Sequence, residues 1–177
     1  FAAPVGSANR IEDGRRYLDL HDSDLDELCV DASQLNEVIL PPTLCTLKLH
    51  GTRPARVKID ATGYGHWLWV WATGRVPQVR GLKRLRGLRI DAVERVDLAD
   101  VVRRFRGLRH LQLLGSPGTV VNLSALAELP ELRSLLLVDV YGFTADEFPL
   151  PSHWPSLTSL VVGGVPVDVA RMVRTNF

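Results

Sequence analysis

Apolar residues recur along this chain as L-x-x-L-x-L, each copy followed by a stretch of different rhythm. The copies read LDELCV at 25–30, LCTLKL at 44–49, GHWLWV at 65–70, LRGLRI at 85–90, LRHLQL at 108–113, LRSLLL at 132–137 and LTSLVV at 157–162. They begin 19 to 25 residues apart. In each copy the apolar residues at positions four and six alternate with others, which is the period of a strand with two distinct faces. A unit this short cannot bury its own apolar side. Seven such strands laid side by side, about 4.8 Å apart, would make one parallel sheet over one continuous core. The pattern predicts a solenoid.

The stretches between the copies change along the chain. Early ones carry a second, weaker strand pattern, Val38-Ile39-Leu40 and Val57-Lys58-Ile59. Later ones take helical spacing: DLADVVRRFRGL at 97–108 puts Leu98, Val101, Phe105 and Leu108 on one side. In NLSALAELPEL at 122–132 the leucines Leu123, Leu126 and Leu129 fall three apart, the rhythm of a 3₁₀ turn. Thr144 to Glu147 has the spacing of a capping box. The end, VDVARMVRTNF, predicts a helix with Asp168 as N-cap and Val169, Met172 and Val173 inward. The expected organisation is an N-terminal capping segment over 1–24, including one further strand at YLDL 17–20, then about seven units over 25–165 and a C-terminal capping helix over 166–177.

Seven near-copies of this motif resemble the leucine-rich repeat family over roughly residues 25–165, and LPPTL at 40–44 resembles its short bacterial form. The resemblance implies an α/β solenoid, with a concave parallel sheet and short strands, 3₁₀ turns or helical turns on the convex side. The family unit continues to an Asn at its ninth position, whose side chain bonds the backbone of neighbouring turns. This chain has Ser33, Thr52, Thr73, Val93, Ser116, Val140 and Val165 there, so those backbone groups need other partners.

In that register the third, fifth and seventh residues of each unit point away from the core, onto the face that family members use to bind another macromolecule. The third unit places Trp67, Trp69 and Trp71 there, where a half-buried strand ordinarily shows polar residues to water. Burying one tryptophan removes about 150–250 Å² from water, so three adjacent ones would exceed the largest apolar patch of an ordinary monomer. Three readings stand open at this point. The row is a recognition surface, or residues 53–64 fold across it, or a one-residue slip of register turns the tryptophans into the core. The first makes Trp67, Trp69 and Trp71 the anchor, with Lys48, His50, Arg89, Asp91, His110 and Gln112 as polar rim. Leu114 and Leu136, with Val138 and Val161, form a second apolar stretch, a continuation of the interface or a cover site. Trp154, before Pro155, reads as core packing.

Composition narrows the function classes. At 177 residues, 46% hydrophobic and 23% charged, the chain is one domain with room for a substantial core. No apolar run reaches the length of a membrane span. FAAPVGSANR has neither an initiator Met nor the layout of a signal segment, which reads as a trimmed chain. Cys29 and Cys45 are the only cysteines; two reduced thiols fit a reducing, cytoplasmic setting. The net charge of +1 hides polarity: residues 1–40 carry three arginines against nine acids, whereas 75–109 carry eleven basic residues against four acids. That basic stretch suits an acidic protein partner, or alternatively a phosphate backbone with tryptophans stacking on bases. Asp91, Glu94, Asp97 and Asp100 interleave with it and weigh against nucleic acid. Self-association is the remaining alternative.

Catalytic chemistry leaves no trace. GxxxxGK(S/T), GxGxxG, GxSxG and HExxH are all absent. The five histidines fall in different units, and His50 and His110 would stand three strands apart, about 15 Å, too far to share a metal. HDSDLDE at 21–27 lacks the central Gly and distal Glu of a calcium loop. The expectation is a protein-interaction module, not an enzyme, with no cofactor, no metal and no membrane.

Overall fold

Two rows of apolar side chains, two residues apart, run in register from strand to strand and define the architecture. The computed structural model describes residues 9–11, 14–51, 57–60, 68–80 and 85–177. Strands β1 (Asn9–Ile11), β3 (Glu27–Asp31), β5 (Thr46–His50), β7 (Leu68–Thr73), β9 (Leu85–Asp97), β10 (His110–Val121), β11 (Ser134–Tyr141) and β12 (Ser159–Gly163) form an eight-stranded sheet in that order. Every described pairing in it is parallel. Leu28, Leu47, Val70, Leu88, Leu111 and Leu135 sit side by side as one fully buried row. Ile90, Leu113 and Leu137 continue the second row, also fully buried. Burying one such side chain contributes about 1.5–3 kcal/mol relative to leaving it in water, and a row repeats that gain at every strand.

A second parallel sheet of four strands, β2 (Tyr17–Asp19), β4 (Glu37–Ile39), β6 (Lys58–Asp60) and β8 (Gln78–Arg80), closes the other side of the core over the first half of the chain. Leu18, Val38 and Ile59 from this sheet join the same buried cluster as the leucine rows. The weak strand patterns at 38–40 and 57–59 are thus β4 and β6. YLDL does supply a strand, in the smaller sheet, while Asn9–Ile11 supplies one in the larger. Over the second half, α1 (Leu98–Arg104) and the 3₁₀ turn Leu123–Glu128 take over, burying Leu98, Val101, Val102, Leu123 and Leu126. The whole is an α/β chain with a large open parallel sheet and few helices.

Three features differ from the expectations. First, β9 and β10 run for 13 and 12 residues, far beyond the L-x-L core of their units. Each turns a corner and resumes pairing beyond it, with Val96 beside Val120 and Gly118 beside Val140. Gly118 lies so close to Val93 that a Cβ there would fall 2.3 Å from the Val93 carbonyl oxygen. Second, backbone hydrogen bonds cross the corners, joined at the first by the Ser33 N–H donating to Asp31 Oδ1 at 2.8 Å. The Ala32 N–H donates to His50 O (2.7 Å), Gly74 N–H to Asp91 O (2.8 Å) and Glu94 N–H to Gly74 O (2.9 Å), while Val93 and Val140, at the ninth position of their units, are buried. Third, α2 (Val167–Asn176) starts after Pro166, so Asp168 is not its N-cap. The Asp168 carboxylate instead accepts the Ala145 N–H at 3.1 Å, tying α2 to the turn that the Thr144–Glu147 capping box opens. Val169 is buried and Met172 and Val173 pack against the core.

Candidate functional site

The solvent side of the eight-stranded sheet is read off the register. One rung runs Glu27, Thr46, Trp69, Gly87, His110, Ser134, Ser159. The next runs Cys29, Lys48, Trp71, Arg89, Gln112, Leu136, Val161. Beyond these lie Asp31 beside His50, Thr73 beside Asp91, and Leu114 beside Val138.

This corrects the third unit. Leu47 pairs with Val70 rather than with Leu68, so the unit begins at 67 instead of 65 and its three outward positions are Trp69, Trp71 and Thr73. The slip is of two residues, which preserves the face. Trp69 and Trp71 are half-buried on the solvent side, not in the core. Trp67 lies outside the described residues. Of the segment 53–64 that was to cover the row, Lys58–Asp60 is β6 in the other sheet, and all but Val57 of the remainder lies outside the described residues.

The two tryptophans take different postures for reasons visible in their neighbours. Trp69 faces Gly87 across the ladder, and a Cβ on Gly87 would lie 2.2 Å from the indole. Lacking one, Gly87 lets the ring lie across β9 and stack on His110, with centroids 5.0 Å apart and planes 27° apart. Trp71 stands between two long cations, the Lys48 ammonium 4.7 Å and the Arg89 guanidinium 5.0 Å from its ring centre. Each cation has its own carboxylate: Lys48 pairs with Glu27, and Arg89 Nε donates to Asp91 at 2.8 Å while its Nη1 reaches Gln112 at 3.5 Å. The row is therefore an aromatic and ionic lattice, not a bare apolar strip. Lys48, Arg89, Asp91, His110 and Gln112 are brought together with Trp69 and Trp71; Leu114 and Leu136 lie half-buried on the later strands beside them. His50, in register with Asp31, sits at the early margin.

Two polar atoms here lack partners among the described residues. Trp71 Nε1 and His50 Nε2 are both buried without a hydrogen bond, a condition that costs about 1–3 kcal/mol per group. His110 is held below the usual histidine range, first by burial and then by the charges of Arg133 and Arg109. That dependence reveals a cluster that the list of outward positions omitted. Arg86, Arg109 and Arg133 occupy the same level at the starts of β9, β10 and β11, and Glu131 reaches Arg86 (2.8 Å) and Arg109 (2.9 Å). They fall at the second position of their units, which the alternation assigns to neither face; only the recurrence of Arg at that position could have flagged them.

Trp154 is buried, donates from Nε1 to Leu126 O at 2.8 Å and meets Phe148 edge-on, which is core packing. Cys29 and Cys45 form no disulfide. Among the described residues no group of three or more His, Cys, Asp or Glu could hold a metal, and no helix is long and apolar enough to cross a membrane. Comparison with protein-family models, with curated proteins and with solved structures finds no match to this chain.

Proposed function

We propose that this chain is a leucine-rich repeat solenoid acting as a non-catalytic protein-interaction module, and that its partner docks on the solvent side of the eight-stranded sheet around Trp69 and Trp71. The single observation that carries the reading is the pair of half-buried tryptophans on adjacent rungs of that face, framed by Lys48, Arg89, Asp91, His110 and Gln112. Aromatic anchors inside a polar rim are the anatomy of an interface centre. The repeat reading is supported by in-register leucine rows and by alternation of strands between the two sheets. The rim residue His50 and the apolar neighbours Leu114 and Leu136 belong to the proposed surface as its margins. On this reading the chain uses no cofactor.

The test is affinity capture from lysate of the source cells, with and without nuclease, comparing the parent with a Trp69→Ser/Trp71→Ser variant whose fold is checked by circular dichroism. A protein retained by the parent after nuclease and lost from the folded variant is the expected result. Equal retention by both would sink the reading, and retention abolished by nuclease would move it to nucleic acid.

A further inference from the structure

Lys48 and Arg89, the obvious cations of the face, are each neutralised by a carboxylate of their own. An exposed cation with no carboxylate among the described residues is Arg133, at the late end of a row of three arginines. The Arg109 N–H donates to Arg86 O at 2.9 Å and the Arg133 N–H to Arg109 O at 2.7 Å, so the three arginines sit on adjacent strands at one level, about 4.8 Å apart. The Glu131 carboxylate reaches two of them, Arg86 and Arg109. Arg133 is exposed and makes no ion pair among the described residues. Arg133 directly precedes Ser134, which stands in register with His110, and the His110 ring stacks on Trp69.

Resting on the partner-docking reading above, we infer that Arg133, at the late end of this arginine row, is the specificity element of the face, and that the partner segment it takes is an acidic peptide stretch with an apolar side chain. A carboxylate meets Arg133 at the start of β11; the apolar side chain lies on Trp69. Guanidinium is the cation whose planar fork matches a carboxylate in two parallel hydrogen bonds. The patch is short. On the early side the same level holds Asp26, whose carbonyl takes the Cys45 and Thr46 N–H groups, and on the late side Thr158. Farther along the strands stand Asp31, Asp91 and Asp139. A polyanion running along the face would meet those acids, whereas a short acidic segment at one end avoids them.

The experiment selects from a displayed library of random short peptides with the intact chain, then measures the enriched peptides against Trp69→Ser, Arg133→Glu and, as a control of equal charge change on α2, Arg171→Glu. The expected peptides carry more Asp and Glu than Lys and Arg, with an aromatic or aliphatic residue nearby. They are lost with Trp69→Ser, weakened about tenfold by Arg133→Glu, and unmoved by Arg171→Glu. Neutral or basic peptides that still need Trp69 would overturn this inference alone, as would acidic ones indifferent to Arg133→Glu or equally hurt by Arg171→Glu. Peptides indifferent to both Trp69 and Arg133, or no enrichment over a blank surface, would overturn the docking reading as well. A single-stranded oligonucleotide bound more tightly than the best peptide would overturn the partner class. Arg133→Gln replaces the charge reversal should that variant lose its circular dichroism signature.

Discussion

Gly87, which has no side chain, decides the posture of the Trp69 ring beside it. With Gly87→Ala the new methyl would fall 2.2 Å from the Trp69 indole, so the ring must lift away from His110. Because Trp69 is half-exposed, it can lift without opening the core. The stability loss should stay near the low end for overpacking, about 1 kcal/mol, while partner binding falls. Loss of the indole ring-current shift on the His110 protons in NMR would report the lifted ring; unmoved protons would show that the glycine is not the gate. His110 yields a second prediction. Burial, then Arg133 and Arg109, depress its pKa, so the neutral imidazole is the form the fold favours. Its contribution to stability is present above the unfolded value of about 6.5 and declines as pH falls from there through the folded value. An NMR titration should place His110 below 6.5, and Arg133→Glu should raise it. A His110 midpoint at or above 6.5 in the parent would refute this.

Among the elements, α1 depends on its cap. Seven residues are too few for a helix to stand by itself in water, and the Asp97 carboxylate both accepts the Ala99 N–H and receives Asn122 Nδ2, each at 2.9 Å. It thereby fixes the helix and the left-handed Asn122 that opens the next turn. Asp97→Ala should cost about 1–2 kcal/mol in chemical denaturation, and Asn122→Ala should cost less, since the Ala99 bond would survive it. The helix itself was legible: the spacing of Leu98, Val101 and Phe105 and the preceding Asp announce it. Strand parity was legible too, because alternation fixes which side chains turn inward. The origin of the third unit was not. Leu68, Val70 and Ala72 alternate with three tryptophans, so two alignments two residues apart are equally apolar, and only pairing with Leu47 decides between them. Nor was the length of β9 and β10 legible, because the corner residue Ala92 adopts a left-handed φ of 48° that nothing in its identity announces. The arginine ladder escaped for a related reason: it arises from stacking of turns, and each arginine alone reads as a solvated loop residue.

At the scale of the molecule, the two halves close the core by different means, and this should divide its stability. Over the first half the larger sheet is backed by three-residue strands, β2, β4, β6 and β8, each too short to contribute more than a few ladder bonds. Over the second half β9, β10 and β11 pair on both sides of their corners, so one continuous strand contributes to two ladders. The residues between them, Leu88, Ile90, Leu111, Leu113, Leu135, Leu137 and Val140, are all fully buried. Local opening free energy follows buried apolar contact and shared hydrogen bonds, so the second half should be the last part to open. Stacked units that contact only their neighbours need not unfold together. Native-state hydrogen exchange should therefore give the slowest amides in β9, β10 and β11, with β2, β4, β6 and β8 exchanging through a smaller opening. Leu135→Ala, which empties a fully buried site at a cost of about 2–5 kcal/mol, should lower the protection of the slow group and leave that of β4 and β6 nearly unchanged. A uniform loss across all strands would mean instead that the chain opens as one cooperative body, with the four-stranded sheet as tightly coupled to the core as the long strands are.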